Sequence, residues 1–322
     1  MMQRFTKVLV AITAAAVMPI SAAAEWPDRP LQLIVQFPPG TTTDAVARDL
    51  ATHMSDALGQ PVVIANKPGA GGIIGVTALA RSKPDGYTFG TVNYPVLTII
   101  PHQQPVGYDP VNDFTHLGVI GPYEYGIFVR SDAPWKTFEE LVEYGSKNPG
   151  KLTFGTLGAG TTNQLTMSRL GDDLGMKWSY VPYKGDNESV TALLGGQIDV
   201  INASATATLP HVKADKIRML VSTSNNRWAA LPDTPTLRQT GKVNYAQESY
   251  FSLAAPAGIP DVAKEKLTST LQKILSDPNV IRSLQERYGQ PVQFQDGNSY
   301  AKTIKTDFER YKNEVTPIDK QK

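Results

Sequence analysis

Residues 31–50 read LQLIVQFPPGTTTDAVARDL, and this stretch decides the class of fold. Leu31–Phe37 is a short apolar run of the kind that forms a buried strand. Pro38-Pro39-Gly40 stops it, and Asp44 then opens an amphipathic segment. Strand, tight turn and helix form the repeating unit of an α/β protein, whose ligands bind where loops enter helices beyond strand ends. Gly40 lets the backbone turn, so Thr41, Thr42 and Thr43 lie at the helix start. The first amides there lack intrahelical acceptors, and with the helix dipole they suit a carboxylate or phosphate. The hydroxyls add donors without adding charge. The plainer alternative is that one threonine caps the helix and the others face water.

A second stretch has the same grammar. FGTLGAGTTNQL, Phe154 to Leu165, runs strand, glycine turn, paired threonines, helix. It makes Gly160, Thr161, Thr162 and Asn163 candidates to close on the same anion from the other side. DVINASATATLP adds Asn202, Ser204 and Thr206 in a loop after a strand. As a set these loops suggest a cleft lined by neutral donors. Two nucleotide motifs fail: GAGGIIG has Ile74 where a dinucleotide fingerprint needs glycine, and GTLGAGTT has Thr161 in place of the P-loop lysine. Asp44 either orients the first turn or simply favours the helix dipole, and a carboxylate there would repel an anionic ligand. Arg48 is placed to pair with it one turn on. Lys184 either attracts an anion from a cleft-facing loop or is a solvated surface lysine. Tyr94, Tyr123 and Tyr125 fall at strand ends, where an amphipathic ring suits an aromatic or long diacid ligand. His53, His102, His116 and His211 are scattered singly, so no metal site is expected.

The rest of the chain is an alternation of short strands with helices beginning near Asp44, Ile73, Phe138, Thr162, Glu188, Val262, Asn279 and Asn298. This pattern predicts an α/β fold with mainly parallel sheets. Thr137-Phe-Glu-Glu140 reads as a capping box, and Ala301, Ile304, Phe308, Tyr311 and Val315 mark one buried helical stripe. The Pro/Gly clusters PVGYDPVNDF and TPTLRQTGKVN are candidates for crossings between two lobes. The first 24 residues have the layout of a cleavable signal peptide: Arg4 and Lys7, then Val8–Met18, then Ala22-Ala23-Ala24. Eleven such residues are too few to span a membrane, which takes about 20. The chain has 31 basic and 30 acidic side chains, and without Arg4 and Lys7 the balance is 29 to 30. No basic run points to nucleic acid. With zero cysteines, disulfides, thiolate metal sites and cysteine catalysis are excluded.

PLQLIVQFPPGTTTDAVAR, GQPVVIANKPGAGGIIG, KPDGYTF, YDPVNDF, NPGKLTFGTLGAGTTNQL, VPYKGDNESVTALLGGQIDV and LPDTPTL occur in that order. As an ordered set they resemble the Bug proteins, the TctC-like extracytoplasmic receptors of tripartite tricarboxylate transporters. The resemblance runs from about Trp26 to Val315. It implies a two-lobed, type II periplasmic-binding-protein-like fold with the ligand cleft between lobes, here drawn as 25–124 with 246–322 and 125–245. It further implies a monomeric periplasmic receptor, without cofactor, that passes a small organic carboxylate to membrane permease subunits. Its gripping loops correspond to Pro39–Asp44 and Gly158–Gln164. The chain departs from the family pattern at Gly40-Thr41, where Gly-Gly is usual, and at Thr162-Asn163-Gln164-Leu165, where Ser-Ser-His-Leu is common. These departures are read as tuning substrate choice. The expected binding set is therefore Gly40, Thr41, Thr42, Thr43, Asp44, Tyr94, Gly160, Thr161, Thr162, Asn163, Asn202 and Ser204. Thr41→Val and Thr162→Val are expected to weaken binding without disturbing the fold. The competing function is a secreted hydrolase, but no G-x-S-x-G elbow is present, and Ser204 has no evident histidine partner.

Overall fold

A computed structural model describes residues 26–158 and 161–312. The expected signal peptide, Gly160 and Val315 lie outside the described residues. The strands are β1 (Leu31–Val35), β2 (Val62–Asn66), β3 (Thr88–Asn93), β4 (Phe114–Pro122), β5 (Tyr125–Arg130), β6 (Thr153–Leu157), β7 (Ser179–Tyr183), β8 (Val200–Ser204), β9 (Ile217–Ser222), β10 (Tyr250–Pro256) and β11 (Gln295–Asp296). The helices are α1 (Thr42–Leu58), α2 (Ile73–Ala80), α3 (Tyr94–Thr98), α4 (Ile100–Gln103), α5 (Phe138–Lys147), α6 (Thr162–Asp173), α7 (Asp186–Leu194), α8 (Ala205–Lys213), α9 (Asp261–Ile274), α10 (Pro278–Tyr288) and α11 (Gly297–Tyr311).

The strands make two sheets, in the orders β11-β4-β10-β3-β1-β2 and β7-β6-β8-β5-β9. Each sheet has its own apolar clusters. In α1 the buried Val46, Ala47, Leu50, Met54 and Leu58 recur at helical spacing and pack on Leu31, Leu33 and Val35 of β1. Helix α5 starts at its predicted cap: Thr137 Oγ1 accepts the Glu140 N–H, while the Glu140 carboxylate turns back to the Lys136 N–H, one residue before the partner a capping box uses.

Two expectations need correction. The sheets are not mainly parallel: β1 pairs in parallel with β2 and β3, and β6 with β7 and β8, but β10, β4, β11, β5 and β9 all pair antiparallel. The strands beside each crossing run back against the parallel core. PVGYDPVNDF is not a crossing either. Asp109 there accepts the Val111 and Asn112 N–H groups in a tight turn that feeds β4. The chain passes between sheets at Pro122–Tyr125 and again in the segment before Tyr250. The two passages run side by side, with the Tyr123 N–H on Ser249 O and the Thr223 N–H on Tyr125 O.

Candidate functional site

The first turn is held in shape by its own side chains. Gly40 sits at φ +81°, a conformation costly for a residue with a Cβ. Thr41 is the N-cap of α1: its Oγ1 donates to Pro38 O at 2.9 Å and accepts the Asp44 N–H at 3.4 Å. The Asp44 side chain is buried and fully engaged. Its Oδ2 accepts from the Gly40 N–H (2.9 Å) and Arg48 Nε (3.0 Å), and Oδ1 from Asn66 Nδ2 (2.8 Å). Burial pushes this carboxyl up, but the hydrogen bonds from Arg48, Asn66 and Gly40 outweigh it and hold it below the usual range. Asp44 thus fixes the turn, and Arg48 fixes Asp44. The Thr42 and Thr43 amides, at the start of α1, have no acceptor within the helix. The hydroxyl of Thr43 meets Tyr123 Oη at 2.6 Å, and that of Thr42 meets Ser204 Oγ at 3.0 Å.

The second turn copies the first. Gly158 has φ +62°, and Thr161 caps α6, donating from Oγ1 to Gly158 O at 2.9 Å and accepting the Gln164 N–H at 3.4 Å. The two caps share their backbone angles, φ −75° and ψ 161° at Thr41 against φ −80° and ψ 159° at Thr161. Asn163 Nδ2 donates to Asn202 Oδ1 at 2.7 Å, and Asn202 Nδ2 to Gln247 Oε1 at 3.0 Å. A chain of amides therefore connects the start of α6 to the return crossing.

The two sheets face each other across a cavity of about 290 Å³. Its walls include Thr41–Thr43, Tyr125, Leu157, Lys184–Glu188 and Thr206. That volume is near the lower end for small-molecule pockets. Thr161, Thr162 and Asn163 line an adjoining recess of about 10 Å³, and Tyr125 and Leu157 belong to both. Tyr125 and Leu157 thus stand where the two spaces, one at each turn, meet. Across the cleft Asn187 Nδ2 donates to Gly40 O at 3.3 Å, so the lobes touch at the first turn.

The structure places Asn202 and Ser204 at the end of β8, both fully buried, with Ser204 bonded to Thr42 and Asp186. It does not bring Tyr94 to the cleft. Pro95 lets Tyr94 begin a short helix, which turns the ring into the core, and its hydroxyl donates to Asp307 Oδ2 (2.8 Å) and Glu248 Oε2 (3.1 Å). Sequence reasoning missed Asp186, Asn187, Glu188 and the helix holding Thr206. The first three follow Lys184-Gly185, and an acid at the start of a helix was a signal that could have found Asp186. The hydrolase alternative has no support in the geometry: no histidine among the described residues hydrogen-bonds Ser204, whose hydroxyl is taken by Asp186 and Thr42.

Two α/β lobes facing each other across a cleft edged by helix starts define a solute receptor of the periplasmic-binding type. The chain belongs to the tripartite tricarboxylate transporter receptor family, the TctC or Bug family, whose model matches residues 46–319. A Cupriavidus necator protein, the UPF0065 protein in the gbd 5′ region, is 39% identical over 280 residues, 86% of this chain and 85% of its own length. Among solved structures, periplasmic binding protein BugD is 31% identical with a TM-score of 0.82, covering 90% of this chain and 97% of its own. MatC of Rhodopseudomonas palustris, with bound malate, is 26% identical with a TM-score of 0.82, covering 90% of this chain and 100% of its own.

Proposed function

We propose that the protein captures a small organic carboxylate between its lobes and delivers it to the membrane permease of a tripartite tricarboxylate transporter. The observation that carries this reading is the α1 start, where Thr42 and Thr43 line a cavity walled by both sheets and their amides have no acceptor within the helix. In this reading the carboxylate lies against the first turn, and the second turn, with Thr161, Thr162 and Asn163, engages the far end of the solute. Its lobes are 25–124 with 246–322 and 125–245, closing on the ligand because only the closed state contacts it from both sides. The malate bound to MatC supports a carboxylate solute. The likeness to BugD, a periplasmic binding protein, together with the signal-peptide layout of residues 1–24, supports a periplasmic location after cleavage. The protein acts as a monomer and performs no chemistry on its solute.

The test is a thermal-shift screen of mono-, di- and tricarboxylates, with calorimetry on the hits. A ligand at about 100 times its Kd adds roughly 2.7 kcal/mol of stability. The same incubations are assayed for product. Turnover at an enzymatic rate, or failure of every acid to stabilise the fold, overturns the reading.

A further inference from the structure

Asn66 opens the motif NKPG, which lies outside both helix-start turns. It ends β2 beside the end of β1: Val35 and Asn66 are register partners, and the Lys67 N–H donates to Val35 O at 2.8 Å. The Asn66 side chain therefore leaves the sheet at a fixed point next to the first turn. Its Nδ2 donates to Phe37 O at 3.0 Å and to Asp44 Oδ1 at 2.8 Å, and its Oδ1 accepts from Arg48 Nη2 at 3.0 Å. Phe37 enters the turn and Asp44 leaves it, so one amide holds both ends together.

The turn has little of its own to hold it. Pro38 and Pro39 have no N–H to give, and the Gly40 N–H is committed to Asp44 Oδ2. The backbone bond from the Thr41 N–H to Pro38 O is long, at 3.4 Å. Asp44 is itself gripped by Arg48, with Nε on Oδ2 at 3.0 Å and Nη2 on Oδ1 at 2.9 Å. Asparagine suits position 66 because a primary amide donates twice and accepts at once. A carboxylate there would have no proton to give and would stand against Asp44. An aliphatic side chain would leave Phe37 O and Asp44 Oδ1 each short of a donor.

We propose that Asn66 is a positioning residue for the solute: it holds the first turn in shape, so that the Thr42 and Thr43 amides are in place before the solute arrives. This rests on the reading of those amides as the carboxylate site. A turn ordered in advance spares the complex the cost of ordering it on binding.

The test reads the turn and the solute separately, on the mature protein, Asn66→Asp and Asn66→Ala, at pH 8 and pH 4.5. NMR follows the Gly40, Thr42 and Thr43 amide resonances without ligand, and calorimetry measures Kd for succinate, malate and adipate. The charged groups around the position are Asp44 and Arg48, with Lys67 exposed beside it. Burial opposes ionisation of Asp44, but its donors outweigh burial and keep it charged at both pH values. In Asn66→Asp the two carboxyls repel at pH 8 and share a proton at pH 4.5. The expected result at pH 8 is displaced resonances and binding at least about tenfold weaker than native. At pH 4.5 both effects shrink in Asn66→Asp, whereas Asn66→Ala is impaired alike at both. Native resonances and native affinity in both variants would overturn the inference. A loss in Asn66→Asp that is the same at both pH values would also overturn it, by showing general damage to the fold. Silence of all three acids toward the native protein counts against the proposed function, and the resonances then decide the inference alone. If melting curves show Asn66→Asp unfolded at pH 8, Asn66→Ala decides, and unmoved resonances there overturn the inference.

Discussion

Thr41 and Thr42 are neighbours of the same residue type with different work to do. Thr41 spends its hydroxyl on the cap of α1 and on Pro38 O. Thr41→Val should leave the fold intact but less stable: losing an N-cap oxygen costs about 1 kcal/mol, and urea unfolding of Thr41→Val should show that loss. Thr161→Val should lose a similar amount, because its cap has the same geometry. Thr42→Val removes instead the contact to Ser204 across the cleft, and calorimetry should find ligand affinity falling with little change in the melting temperature. The sequence announced a threonine-rich anion turn, since glycine, hydroxyls and a helix start are local features. It did not announce which threonine serves the helix and which the cleft. That depends on Ser204, whose place is set by the other sheet.

At the scale of elements, the crossing at Pro122–Tyr125 holds a titratable group. Burial pushes the Glu124 carboxyl up to about 7. The folded protein therefore binds a proton that the unfolded chain releases near pH 4.5, and stability contributed by protonated Glu124 is lost as pH rises from 4.5 through 7. Glu124→Gln removes that liability. Thermal melts should show the variant stabilised at pH 8, by on the order of 1 kcal/mol, and much less at pH 4.5. The legible elements were those with a strong period or cap, such as α1, α5 and α6. The short α3 and the small-residue α8 were read as loops. Helix α8 opens with alternating Ala and Thr in place of an apolar stripe and carries Pro210 within it, so its pattern matched no helical template. It forms because tertiary contacts hold it, including Thr206 Oγ1 on Tyr288 O at 2.6 Å and Thr208 Oγ1 on Ser204 O.

For the whole molecule, the α/β class and two-lobed plan were readable from the alternation of elements and the ordered motifs, whereas strand direction at the crossings was not. Antiparallel pairing depends on which strand returns beside which, and nothing local encodes it. The same returns tie the lobes together through the amide chain Asn163–Asn202–Gln247. Gln247→Ala should break that link at the crossing, and small-angle scattering with saturating ligand should then find a less compact molecule than the native protein under the same conditions. The placement of β10 has a consequence for how the chain is assembled. It lies between β4 and β3, in the interior of a sheet whose other main strands come from the first 122 residues. Those early strands must wait, as a ribosome delivers them, for a partner more than 120 residues downstream, while 125–222 already holds every strand of the inner sheet. The inner unit is thus free to fold first, and the outer one closes only when its late strand is threaded into the gap, a long-range step that is intrinsically slow. A chain cut after Asn244 should keep the inner unit and leave the outer sheet split.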